Sequence, residues 1–85
     1  MEKQLLLIND SKNSYEKVKA AIIMILGRHP FNAEQITFIA HKKGRAQMKV
    51  GDFIDLFLLQ EKFEQIGIKT EIEDYEPAFS GHLHQ

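Results

Sequence analysis

The sequence has no cysteine, no tryptophan, only two prolines and no excess of charge of either sign. Without cysteine there is no disulfide, no thiol nucleophile and no thiolate metal site, which suits a reducing compartment. The apolar run at the start, Leu5 to Ile8, is too short for a signal peptide or a membrane span, so a cytoplasmic location is expected. Eleven Lys and Arg against twelve Asp and Glu leave a formal charge of −1, which gives no field to draw nucleic acid or anionic membrane. Signatures of catalysis are lacking as well. Gly27, Gly44, Gly51 and Gly67 stand at element boundaries, outside any GxGxxG or P-loop spacing. Ser11, Ser14 and Ser80 belong to no local nucleophile motif, and His29, His41, His82 and His84 are not spaced as a metal-ligand set. The expectation is a protein that is not an enzyme and carries no cofactor or metal.

What is present is a regular alternation of short elements. Eighty-five residues support one core and therefore one domain. Leu5 to Ile8 reads as a buried strand that runs into the turn formers Asn9, Asp10 and Ser11. A helix follows, capped by Asn13 or Ser14; with Asn13 as the cap, Glu16 completes a capping box. Val18, Ala21, Ile22, Ile25 and Leu26 give it a core face, and Gly27 ends it. His29-Pro30-Phe31 reads as a connector, and Asn32 with Gln35 as the start of a second helix. Its expected buried stripe is Ile36, Ile39 and Ala40, its last turn is basic at His41, Lys42 and Lys43, and Gly44 stops it.

From Arg45 to Val50 apolar and polar residues alternate, as in a strand with one face on a core. Phe53, Leu56, Phe57, Leu59, Phe63 and Ile66 define the apolar stripe of a third helix ended by Gly67, and Ile68, Thr70 and Ile72 alternate in a last strand. The order β-α-α-β-α-β implies an α+β fold, a two-layer sandwich in which three helices cover a three-stranded sheet. Residues 1–74 form the domain, and 75–85 are expected to be a flexible C-terminal tail.

One constellation is not explained by turns and caps alone. Asn9 and Asp10 lie just past the first strand, and His41 ends the second helix where another strand begins. Leu-Leu-Leu-Ile-Asn-Asp-Ser, residues 5–11, resembles the apolar run followed by Asn-Asp-Asp that marks the ClpS family of Clp-protease adaptors. Ala40-His41-Lys42-Lys43-Gly44-Arg45-Ala46 is similar to that family's Val-His-x-x-Gly-Lys-Ala segment, and the element order agrees from Leu5 to Glu73. The C-terminal domain of the ribosomal stalk protein shares the topology but lacks both motifs.

The resemblance implies an adaptor that binds the free α-amino group and first side chain of N-degron peptides and presents them to a Clp-type AAA+ unfoldase. Asn9, Asp10 and His41 would hold the amino group, which offers donors only and needs acceptors. Ser11, Asn13, Tyr15, Val18, Thr37, Ala40 and Ile68 would surround the side chain. The sequence also departs from the family pattern. Ser11 replaces a second aspartate, Tyr15 stands where many relatives have methionine, and Ala40 replaces valine. The segment from Gly51 into the third helix is shorter than in familiar adaptors, and three or four residues precede the first strand where relatives use an extension to deliver cargo. A divergent paralogue that docks on the unfoldase, or binds peptides without delivering them, is therefore the alternative expectation, followed by an interaction module of the stalk type.

Overall fold

The computed structural model describes residues 1–76. Its elements are β1 (Lys3–Ile8), α1 (Tyr15–Leu26), α2 (Pro30–Lys43), β2 (Arg45–Gly51), α3 (Phe53–Gln65) and β3 (Thr70–Asp74). The strands form one antiparallel sheet in the order β2-β1-β3, with single-residue connections on both sides of β2, Gly44 from α2 and Asp52 to α3. α2 and α3 lie against the sheet, and α1 packs on those two helices. β1 is central, which explains its continuous apolar run: Leu5 and Leu7 point into the helical layer, and Leu6 is buried on the other face between Gln47 and Glu71. The core joins Leu5 and Leu7 to Ile22, Met48, Leu56, Phe63 and Ile68.

Helix boundaries show which local signals won. Ser14, not Asn13, caps α1, accepting the Lys17 amide at 3.1 Å, so no Asn13–Glu16 box forms. Residues 29–31 are no connector: α2 begins at Pro30, with His29 as its cap and its Nδ1 accepting the Phe31 amide at 3.1 Å. Proline suits that first position because the amide it lacks would have no partner within the helix. Asn32 and Gln35 are thus inside α2. Gly44 ends it at φ 93°, a left-handed turn that only glycine adopts freely, and its amide returns to the Ala40 carbonyl.

Two expected stripes were too broad. In α2 the buried positions are Ala33, Ile36, Thr37 and Ala40, and Ile39 is exposed. In α3 only Leu56 and Phe63 are buried and Leu59 is half-buried, whereas Phe53, Phe57 and Ile66 face outward. Phe53 and Phe57 stack on each other with centroids 5.9 Å apart, which covers part of what the core does not. The last strand begins at Thr70, two residues later than the alternation suggested, with Ile68 buried ahead of it. Pairing also runs on past Asp74, since the Tyr75 amide donates to the Glu2 carbonyl at 3.2 Å. The expected tail from residue 77 onward, with Ser80, His82 and His84, lies outside the described residues.

Candidate functional site

The antiparallel pairing of β1 with β2 decides what meets at the end of the sheet. Ile8 pairs with Arg45, and one step further the Asn9 amide donates to the Gly44 carbonyl at 2.9 Å. Gly44 is the residue that closes α2, so the segment after β1 is fastened to the end of the helix that carries His41. On the other side the Ile8 amide donates to the Lys69 carbonyl at 3.1 Å, which brings Ile68 and Gly67 to the same place. The result is a cavity of about 550 Å³ between the end of β1, the start of α1, the last turns of α2 and the α3–β3 connection. Thr37 and Ala40 are small members of the buried stripe of α2, and the space they leave is the inner part of this cavity.

All ten residues singled out from the sequence line it: Asn9, Asp10, Ser11, Asn13, Tyr15, Val18, Thr37, Ala40, His41 and Ile68. Leu7 and Ile8 line it too and were missed, having been read only as strand core. Their signal was positional, because a strand that ends at a site contributes its last side chains to it. Inside, Leu7, Ala40 and Ile68 are nearly fully buried and apolar, and the Thr37 hydroxyl is satisfied by the Ala33 carbonyl at 2.7 Å. At the mouth, Asn9 and His41 are exposed, and among the described residues neither side chain has a hydrogen-bond partner.

Asp10 is organised differently. Its Oδ1 accepts the amides of Lys12 at 2.9 Å and Asn13 at 3.1 Å, closing the turn that leads into α1. The Asn13 amide group spans both Asp10 oxygens at 3.3 Å and donates to the Gly67 carbonyl at 2.9 Å, stapling this turn to the end of α3. Burial alone would raise the Asp10 carboxyl, but these donors from Lys12 and Asn13 outweigh it and hold the carboxyl below its ordinary value. Asp10 is therefore an anion of fixed position. Its Oδ2 takes one of these bonds, and a carboxylate oxygen accepts about two. The carbonyl end of α2, where His41 sits, adds the negative end of a helix dipole. Of the lysines beside it, Lys42 lies over the Phe38 ring, 5.7 Å from its centroid. An anionic turn, a helix C-terminus and unpartnered acceptors above an apolar interior suit a cation with an apolar group attached.

The rim is aromatic. Tyr15 stands edge-on to His41, ring centroids 6.0 Å apart, and its hydroxyl donates to Glu34 at 2.6 Å.

Residues 2–71 match the family model described as ATP-dependent Clp protease adaptor protein ClpS. No curated protein sequence matches the chain. Among solved structures the fold is similar to Agrobacterium tumefaciens ClpS2 bound to L-phenylalaninamide, with a TM-score of 0.74 over 85% of this chain and 96% of that one. The two sequences are 19% identical, so this likeness speaks for the fold. The family match runs from before β1 into β3 and takes in every element that builds the cavity; the chain belongs to the ClpS family of Clp protease adaptor proteins.

Proposed function

We propose that this adaptor binds the free α-amino group and first side chain of N-terminal peptides and presents them to a Clp-type AAA+ unfoldase in the cytoplasm, with no catalysis of its own. The observation that carries the reading is the division of one cavity into unpartnered acceptors at its mouth and an apolar interior. A primary ammonium has three hydrogens to donate and accepts nothing. The Asn9 carbonyl oxygen, the open side of the Asp10 carboxylate and a ring nitrogen of neutral His41 are the matching acceptors. Leu7, Val18, Ala40 and Ile68 then surround an apolar side chain attached one carbon away, in a space of a size usual for small ligands. The ligand of the similar Agrobacterium protein, L-phenylalaninamide, has this composition: a free α-amino group, an apolar ring and an uncharged amide where a peptide would continue.

A series of labelled peptides identical except at the first residue tests binding. Phe, Leu and Trp at that position are expected to bind, while Asp and Lys should bind far more weakly, because the interior offers no partner for a second charge. Affinity indifferent to the first residue would contradict the pocket. For presentation, the adaptor should speed degradation of a cargo beginning with Phe by a reconstituted Clp unfoldase and protease; binding without any acceleration would limit the function to peptide capture.

A further inference from the structure

Tyr15, the first residue of α1 and the aromatic rim of the cavity, is tethered at two points along α2. Its hydroxyl donates to Glu34 Oε2 at 2.6 Å. The other oxygen of that carboxylate, Oε1, holds the Lys19 ammonium at 3.1 Å. Lys19 follows Tyr15 by one helical turn, so a single α2 side chain grips two successive turns of α1. At its other end the Tyr15 ring meets the edge of His41. Glu34, Thr37 and His41 recur at three- and four-residue steps and share one face of α2. Glu34 itself lines no part of the cavity.

Resting on the peptide-binding reading above, we propose that Glu34 is a positioning residue that fixes the width of the cavity mouth by holding the Tyr15 hydroxyl, and so sets which first side chains enter. An untethered tyrosine at a surface exchanges rotamers in picoseconds to nanoseconds. A charge-assisted bond to a carboxylate restrains it. A large first side chain must then fit the fixed aperture or break that bond, whereas a smaller one passes with the tether intact. Discrimination against the largest groups therefore contains the strength of the Tyr15–Glu34 link. The titration of the pair agrees with its sense: the bond to Glu34, followed by burial, pushes the Tyr15 hydroxyl up to about 12, and Tyr15 and then Lys19 hold the Glu34 carboxyl low. The donor stays a phenol and the acceptor a carboxylate across neutral pH.

The test is the ratio of dissociation constants for free-amino peptides beginning with Trp and with Leu, measured on the wild type, Glu34→Ala, Glu34→Gln, Tyr15→Phe and the double variant Tyr15→Phe/Glu34→Ala. Glu34→Ala is expected to shift the ratio toward Trp by about three- to tenfold, the range one net hydrogen bond supports, with little change for Leu or in thermal midpoint. Glu34→Gln keeps an acceptor for the hydroxyl and should retain most of the wild-type ratio. Tyr15→Phe also gives up the longer contact of the hydroxyl with the Glu34 main-chain carbonyl at 3.4 Å, so its ratio should shift at least as far as that of Glu34→Ala, and the double variant should add nothing beyond Tyr15→Phe. An unchanged ratio in Glu34→Ala, or equal weakening of both peptides, overturns the positioning role and leaves the peptide-binding reading standing. Failure of the wild type to bind either peptide overturns both.

Discussion

α2 has a cleft on each side of it, and the two differ in how their polar groups are satisfied. The cavity at the end of β1 meets α2 at Thr37, Ala40 and His41. The other cleft, about 310 Å³, lies between α2 and β2 and is lined by Arg28, Asn32, Gln35, Ile36, Ile39, Gln47 and Met48. There the most polar group is already engaged: Arg28 donates to the Met48 carbonyl at 2.5 Å and to Asn32 Oδ1 at 3.4 Å. β2 is an edge strand, and Arg28 takes the carbonyl of Met48, the residue that the β1–β2 register skips. At the first cavity the neighbouring groups that can be satisfied internally, such as Asp10 with Asn13 and Tyr15 with Glu34, hold the frame, and among the described residues Asn9, Ser11 and His41 are left over. In the second cleft exposed Gln35 has no partner among the described residues, but the cleft's one charged group is held and its lining is mostly polar, which is architecture. Acceptors without donors beside an apolar wall mark a place for something else.

The sharpest way to break this contrast is to remove a left-over acceptor. His41→Ala and Asn9→Ala should each weaken binding of a Phe-first peptide by about ten- to a hundredfold, as expected for a hydrogen bond to a charged group. Both side chains are exposed, so stability should move by no more than about 0.5 kcal/mol. Asn32→Ala, in the second cleft, should leave the same affinity within about twofold. Equal losses from Asn32→Ala and His41→Ala, measured by fluorescence anisotropy, would erase the distinction between the two sides of α2.

A smaller effect should come from the interior. Ala40→Val adds two methyl groups' worth of carbon at a position that is 2% exposed and lines the cavity. Binding of Trp- and Tyr-first peptides is expected to fall by about tenfold while Leu-first peptides lose less than about threefold. A uniform loss would mean that the added bulk acts through packing of α2 and not through the shape of the cavity.

The smallest expected effect is on the frame. The Asp10 carboxyl is lowered in the folded state, so its contribution to stability is fully present above the ordinary value of 3.8 and is lost as pH falls through the folded value. Asp10→Asn keeps an oxygen for the Lys12 and Asn13 amides and removes the charge. Urea melts of wild type and variant should therefore converge as the pH drops below that ordinary value and separate above it, with the wild type the more stable. A constant difference at all pH values would show that the charge plays no part in holding the turn.

Much of the fold was legible because its signals are periodic. Ala46 and Met48 alternate with Arg45 and Gln47, and Gly27, Gly44 and Gly67 punctuate the helices with positive φ. The α2 start was obscured because proline is ambiguous in one dimension: it biases His29 away from helix and is also well placed to open one. The outer face of α3 was illegible for another reason. Phe53, Ile54, Phe57 and Leu58 are apolar yet exposed, and composition records what a side chain is without saying what covers it. For the site, the two short motifs held Asn9, Asp10 and His41, but their meeting rests on the Asn9–Gly44 pairing, a contact across 35 residues that no local pattern announces. The Tyr15–Glu34 tether was hidden in the same way, since it joins two helices through side chains 19 positions apart.

The most direct measurement compares one Phe-first peptide with a free amino group and the same peptide acetylated there. Acetylation removes the charge and two of the three donors while leaving the side chain untouched, so the acceptors at the cavity mouth would be covered without being satisfied. Binding of the free peptide, and a loss of about a hundredfold or more on acetylation, is the result expected if Asn9, Asp10 and His41 receive the amino group. Equal affinities for the two peptides would contradict it, and would reduce the cavity to an apolar groove with polar residues standing by.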